Sequence, residues 1–181
     1  MVGLLSLPHH TSIFTALVLE ESKSRRSEVR QMNDGSLVIR GEMALPRNVG
    51  SGGSVVHPSV VHLVDSHDPV PCLTILRLRP LRQKPISIIN CYSPTSAVDE
   101  SELDAFYEEL EEVIQQEVRL QIVVGDFNAE LGSSPVQKQR IGRFDLGERN
   151  ENGDPFTGLL SVAYLFYGNS LFIKKGHRRR T

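Results

Sequence analysis

Ile122-Val123-Val124-Gly125-Asp126-Phe127-Asn128-Ala129 is the stretch on which the reading of the chain turns. Leu120, Ile122, Val123 and Val124 make a short apolar, β-branched run, the pattern of a strand buried on both faces. Gly125 then lets the backbone turn, which sets Asp126 and Asn128 at the strand's exit. Such exits are where α/β folds hold polar groups around a ligand. A carboxylate and an amide placed there suit phosphate-ester hydrolysis: the carboxylate can orient or deprotonate a water near a divalent cation, and the amide can donate to an oxyanion. The same Gly-Asp-x-Asn spacing also describes a plain turn after a strand, because all three residues are turn formers.

Working outward, Asp99 to Val118 has helical periodicity, with Leu103, Phe106, Leu110, Val113 and Ile114 on one stripe that would cover a sheet face. Followed by the Leu120 strand, it gives a strand–helix–strand order. Cys72 to Leu78 and Pro85 to Cys91 read as two further strands joined by the basic link Arg79-Pro80-Leu81-Arg82-Gln83-Lys84. The second of them ends in Asn90-Cys91-Tyr92-Ser93-Pro94. Nearer the start, Ile13 to Leu19 reads as a strand that delivers Glu20, Glu21, Ser22 and Lys23 at its end. Asn33-Asp34-Gly35 is a turn into a short strand, Ser36 to Arg40, and a glycine cluster precedes the strand-like Ser54-Val55-Val56. His57 and His62 are candidate metal ligands or, more simply, packing and surface histidines of a strand. Downstream, Arg140 to Asp154 is glycine- and asparagine-rich without period, Phe156 to Phe166 reads as a helix and Ser170 to Ile173 as a final strand.

A length of 181 residues with 39% hydrophobic content suggests one domain with a sizeable core. Cys72 and Cys91 sit in apolar runs and read as small buried hydrophobes rather than a disulfide framework. The apolar start is interrupted by Pro8, His9 and His10 and lacks a basic leader, so neither a signal peptide nor a membrane span is expected, and the location expected is intracellular, nuclear or cytoplasmic. The net charge of -2 hides an asymmetry. Nine acidic residues and no basic ones fall between Asp99 and Val118, which leaves 13 acidic against 20 basic residues elsewhere. A polyanion could meet that basic remainder while the acidic helix points away, although both can equally be ordinary solvated faces.

Together these segments resemble the endonuclease/exonuclease/phosphatase family, with the fuller match to the apurinic-endonuclease-like domain of non-LTR retrotransposons. Three motifs occur in that family's order: Glu21-Ser22-Lys23, Asn90-x-Tyr92-x-Pro94 and Gly125-Asp126-Phe127-Asn128. The resemblance implies an α/β fold, a partial four-layer sandwich of two mixed β-sheets flanked by helices, spanning residues 13–173 between an atypical N-terminus (1–12) and a basic tail (174–181). It implies that Asp126, Asn128 and Tyr92 are catalytic, that Glu21 ligates the metal, and that the metal is Mg²⁺, with Mn²⁺ as the alternative. Residues Ile141 to Gly153 resemble the segment that these endonucleases carry after Gly-Asp-Phe-Asn, which makes Arg149, Asn150 and Asn152 substrate-binding candidates. DNA is then the expected partner, with no membrane and no protein partner implied.

The family pattern also has an N-terminal metal-site Asn, and downstream an Asp and a Ser-Asp-His segment, none of which these residues match. The expectation is a copy cut at both ends, with terminal strands missing and nuclease activity weak or lost. The competing readings are an inactive remnant that at most binds nucleic acid, and a small-phosphoester phosphatase of the same fold.

Overall fold

The computed structural model describes residues 16–22, 27–41, 51–70, 72–95, 99–132, 141 and 148–168; of 16–22 and 51–52 it describes the backbone only. Two compact units divide the chain: Met1–Tyr92 with Glu117–Asp126, and Ser93–Gln116 with Phe127–Thr181.

Among the described residues, the first unit holds eight strands. They are β1 (Ala16–Ser22), β2 (Glu28–Gln31), β3 (Leu37–Arg40), β4 (Ser51–Val56), β5 (Val64–Val70), β6 (Leu73–Leu78), β7 (Ile86–Tyr92) and β8 (Leu120–Asp126), with the short helix α1 (Pro58–Val61) between β4 and β5. They form two four-stranded sheets, ordered β1-β4-β3-β2 and β5-β6-β7-β8. β4 packs against β6 and β7, and β1 against β7 and β8, so the sheets face each other as a sandwich. The fold is the α/β sheet sandwich expected, with one difference. Only the second sheet is mixed, through its parallel β7–β8 pair; the first is antiparallel throughout its described strands.

Burial explains which strands form. β6 and β7 are rich in Leu and Ile and buried at nearly every position, and Leu76, Leu78, Ile86 and Ile88 join Ile39, Val56 and Val60 in one core. β8 departs from its reading as a strand buried on both faces: it is half-buried along its length and begins at the exposed Leu120. Its place at the end of the sheet order accounts for that. β5 was not anticipated, because Val64-Asp65-Ser66-His67-Asp68-Pro69-Val70 has no apolar run; it is the other end of the same sheet, where polar residues and a proline are tolerated. Cys72 is not in β6 but in the tight turn before it, at φ 62°, while Cys91 is fully buried in β7. The Asn33-Asp34-Gly35 turn forms as read: Gly35 takes φ 85° and the Asp34 carboxylate accepts from the Ser36 N–H at 2.9 Å. That hydrogen bond holds the exposed Asp34 carboxyl below its ordinary value.

His57 and His62 lie at the ends of α1, not in a strand. His57 Nδ1 accepts from the Ser59 N–H at 3.2 Å and so caps the helix, with Pro58 following as its first residue.

The second unit holds α2 (Glu100–Gln116) and α3 (Gly153–Val162), which pack on each other. The expected stripe is buried in α2 at Leu103, Phe106, Leu110 and Ile114, joined by Tyr107, while Val113 is half-buried. Glu100 and Glu102 lie in the first turn, where the helix dipole favours acids. α3 starts three residues before Phe156 and stops at Val162; Tyr164, at φ 57°, takes the chain out of the helix. The strand read at Ser170 to Ile173, the N-terminal segment 1–12 and the tail from Lys174 lie outside the described residues.

One ion-pair group braces the second sheet. Glu117 accepts from Arg77 Nε at 2.6 Å and from the Ser87 hydroxyl, and Arg77 also pairs with Asp68. Burial alone would raise the Glu117 carboxyl, but the bonds from Arg77 and Ser87 outweigh it and hold it below its ordinary value. Because the folded value is depressed, the stabilisation is present above the unfolded carboxyl value of about 4.3 and is lost as pH falls through the folded value. Glu117→Ala should therefore lower unfolding free energy by about 2–4 kcal/mol at pH 7. The gap from the parent should narrow when urea titrations are repeated below about pH 4.

Candidate functional site

β7 and β8 run parallel in unbroken register from Ile86↔Leu120 to Tyr92↔Asp126. Tyr92 and Asp126 are thus the last rung of the ladder, and residues on one rung project from the same face of a sheet. A phenol and a carboxylate are set side by side at the carboxyl ends of two parallel strands, both half-buried. Gly125 does not turn the chain out of the sheet, as its sequence context suggested. It stays in the strand at φ 145°, opposite Cys91, and a Cβ there would lie 1.8 Å from the Cys91 carbonyl oxygen. Only glycine permits this approach, and the approach is what carries the register through to Asp126.

Cys91 itself is shut in: its Sγ lies 3.3 Å from the Val124 carbonyl, and burial, reinforced by the charge of Asp126, pushes its thiol well above the usual range. It is a packing residue and not a nucleophile.

Glu21 belongs to the same unit. Its side chain lies outside the described residues, but its strand is informative. Leu19 pairs with Gly53, and the Gly53 carbonyl accepts from Asn90 Nδ2 at 2.6 Å. This bond across the sandwich brings the β1 backbone two residues before Glu21 to the level of the β7 backbone two residues before Tyr92. Between Leu19 and Ser22 the register shifts, with three steps on β1 against two on β4. A bulge therefore interrupts the regular ladder at Glu20 and Glu21. Asn90, fully buried, was legible as part of a motif but not as the tie between sheets; an amide inside the run Ile-Ser-Ile-Ile-Asn-Cys was the available signal.

Asn128, Arg149, Asn150 and Asn152 are brought together in the second unit. Asn128 sits at φ 49°, a left-handed conformation that asparagine tolerates, and its Nδ2 donates to the Ser93 carbonyl at 2.9 Å. Asn150 donates to the Asn128 carbonyl at 2.8 Å and accepts from the Glu130 N–H at 2.9 Å. Asn152 is fully buried and donates to the carbonyls of Pro94 (2.9 Å) and Phe127 (3.4 Å). Arg149 donates to the Leu131 carbonyl at 2.9 Å and pairs with Asp154 at 2.7 Å. The three residues read as substrate contacts hold backbone.

Among the described residues no three His, Cys, Asp or Glu side chains gather closely enough to hold a metal ion, and no described helix is long and apolar enough to cross a membrane.

No protein-family model matches the chain. Two curated proteins do match in part. The chain is similar to a portion of craniofacial development protein 2. It is 31% identical over 98 residues to that protein from Bos taurus, covering 53% of this chain and 16% of the relative. To the Tragulus javanicus protein it is 30% identical over 98 residues, covering 53% of the chain and 17% of the relative. The match thus spans about a sixth of the length of these relatives.

One substitution and one labelling experiment test the strand pair. Gly125→Ala should destabilise the protein by more than about 3 kcal/mol, since backbone has to move to admit the methyl group, and a denaturant titration reads this directly. In native protein, iodoacetamide should label Cys72 and spare Cys91, as mass spectrometry of the digested adduct will show.

Proposed function

We propose that this chain is a metal-dependent phosphodiesterase module acting on DNA, of the endonuclease/exonuclease/phosphatase type. The observation that carries the reading is the Tyr92–Asp126 rung at the carboxyl ends of β7 and β8. The likeness to craniofacial development protein 2, itself of the endonuclease/exonuclease/phosphatase-like group, supports it.

In this reading the Asp126 carboxylate accepts a hydrogen bond from the attacking water, orients it and draws off its proton as the new P–O bond forms and the ester P–O bond breaks, its oxygen leaving as the alkoxide that takes a proton from solvent. The Tyr92 phenol donates to a non-bridging phosphate oxygen, where negative charge builds in the transition state. In the second unit the Asn128 amide is a candidate phosphate donor in its own right, on a left-handed backbone.

Glu21 would be the protein's ligand to the metal. A single carboxylate fits in kind, because Mg²⁺ is held through one or two carboxylates and keeps several waters. Bound there, the ion would supply Lewis-acid stabilisation of the phosphate and its leaving oxygen. The fold itself does not choose the substrate. DNA is preferred over a small phosphoester because the Ile141 to Gly153 stretch has its sequence likeness among DNA endonucleases.

The direct test is nicking of supercoiled plasmid with Mg²⁺ and with EDTA. The expected result is weak, Mg²⁺-dependent nicking that falls at least about 10²-fold in Asp126→Ala and by a comparable factor in Glu21→Gln. Nicking that survives Asp126→Ala would overturn the assignment, and binding of DNA without any nicking would replace it with a nucleic-acid-binding module.

A further inference from the structure

We infer that the turn Arg149-Asn150-Glu151-Asn152-Gly153 is a clasp that sets the backbone of the 127–131 loop, so that Asn150 and Asn152 are positioning residues for Asn128 rather than substrate contacts. The inference rests on the reading of Asn128 as a phosphate-binding amide, but the clasp is visible without it.

Its components cover nearly the whole loop. The Phe127 ring stacks on Phe156, with centroids 4.2 Å apart and planes at 24°. The Phe127 carbonyl accepts from Asn152 and the Asn128 carbonyl from Asn150. The Glu130 N–H donates to Asn150 Oδ1, while the Glu130 carbonyl accepts from the Asn150 N–H at 3.1 Å. The Leu131 carbonyl accepts from Arg149. Gly153 closes the set: a Cβ there would lie 2.4 Å from the Glu130 carbonyl oxygen, so the turn and the loop press together as closely as glycine allows.

Three consequences follow from chemistry alone. An asparagine side chain that both accepts from and donates to backbone two residues apart fixes the peptide between them, as a strand neighbour would. Asn128, with Asn152 on the carbonyl before it and Asn150 on its own carbonyl, is the residue at φ 49°, a conformation that costs free energy unless its surroundings impose it. And a side chain engaged with backbone on both its polar atoms makes a poor reader of a substrate.

The test uses the full chain. Asn150 is half-buried, which makes it the better site to alter, since the fully buried Asn152 risks the fold. Amide hydrogen exchange at Glu130 should rise at least about tenfold in Asn150→Ala, with Ile75 and Ile89 in the central strands unchanged. Asn150→Asp keeps an oxygen for the Glu130 N–H and should restore most of that protection; it also serves as the readable variant if the alanine protein does not fold. The Asn128 side-chain amide resonances should shift in Asn150→Ala. If the parent nicks plasmid, Asn150→Ala should lower kcat about tenfold or more with KM within twofold. If it does not nick, the functional reading fails and exchange alone judges the clasp. Unchanged Glu130 exchange and unmoved Asn128 resonances would overturn the inference, as would a variant whose KM rises while kcat and exchange stay put.

Discussion

The close approach of Gly125 to the Cys91 carbonyl is the constraint on which the candidate site depends. A parallel pair has evenly spaced, slanted hydrogen bonds, and a side chain pushed into the space between its strands would end the ladder early. Because position 125 carries none, β8 follows β7 for seven rungs and delivers Asp126 beside Tyr92. Beside it the Cys91 thiol is fully buried, with its Sγ at the Val124 carbonyl.

Charge is managed locally and not by global balance. Arg77, Arg79 and Arg119 belong to the basic excess seen in the sequence, yet each is engaged: Arg77 with Glu117 and Asp68, Arg79 and Arg119 with Asp65. A count of basic residues therefore overstates the field available to a polyanion, and any steering of DNA would fall to cations other than these three.

Legibility in the sequence followed the strength of the physical signal. β6, β7 and α2 were readable because their apolar periodicity is long and burial enforces it. β5 and α1 were not: one is a polar outer strand, and the other is four residues held by a proline and a histidine cap. Tyr92, Asp126 and Asn128 could be nominated from motif order, and the first and second proved to be rung partners. Register of that kind is a tertiary property, invisible until β7 and β8 are aligned. Asn150 and Asn152 show the opposite case. Their likeness to a known segment said that they belong with Gly-Asp-Phe-Asn, and they do, but likeness in order does not say whether a side chain faces a substrate or its own backbone.

Pro69 has a consequence beyond local geometry. It sits in the outermost strand of the mixed sheet, paired with Thr74, and has no N–H to offer a further strand. With Asp65, Ser66 and Asp68 beside it, that border is a poor template for another chain. The border strand β2 of the other sheet, Glu28-Val29-Arg30-Gln31, is exposed at every residue and carries charge on both signs. A sandwich built around runs such as Ile-Ser-Ile-Ile is rich in segments that would stack into fibres if bared. Polar residues on these two borders would disfavour such stacking.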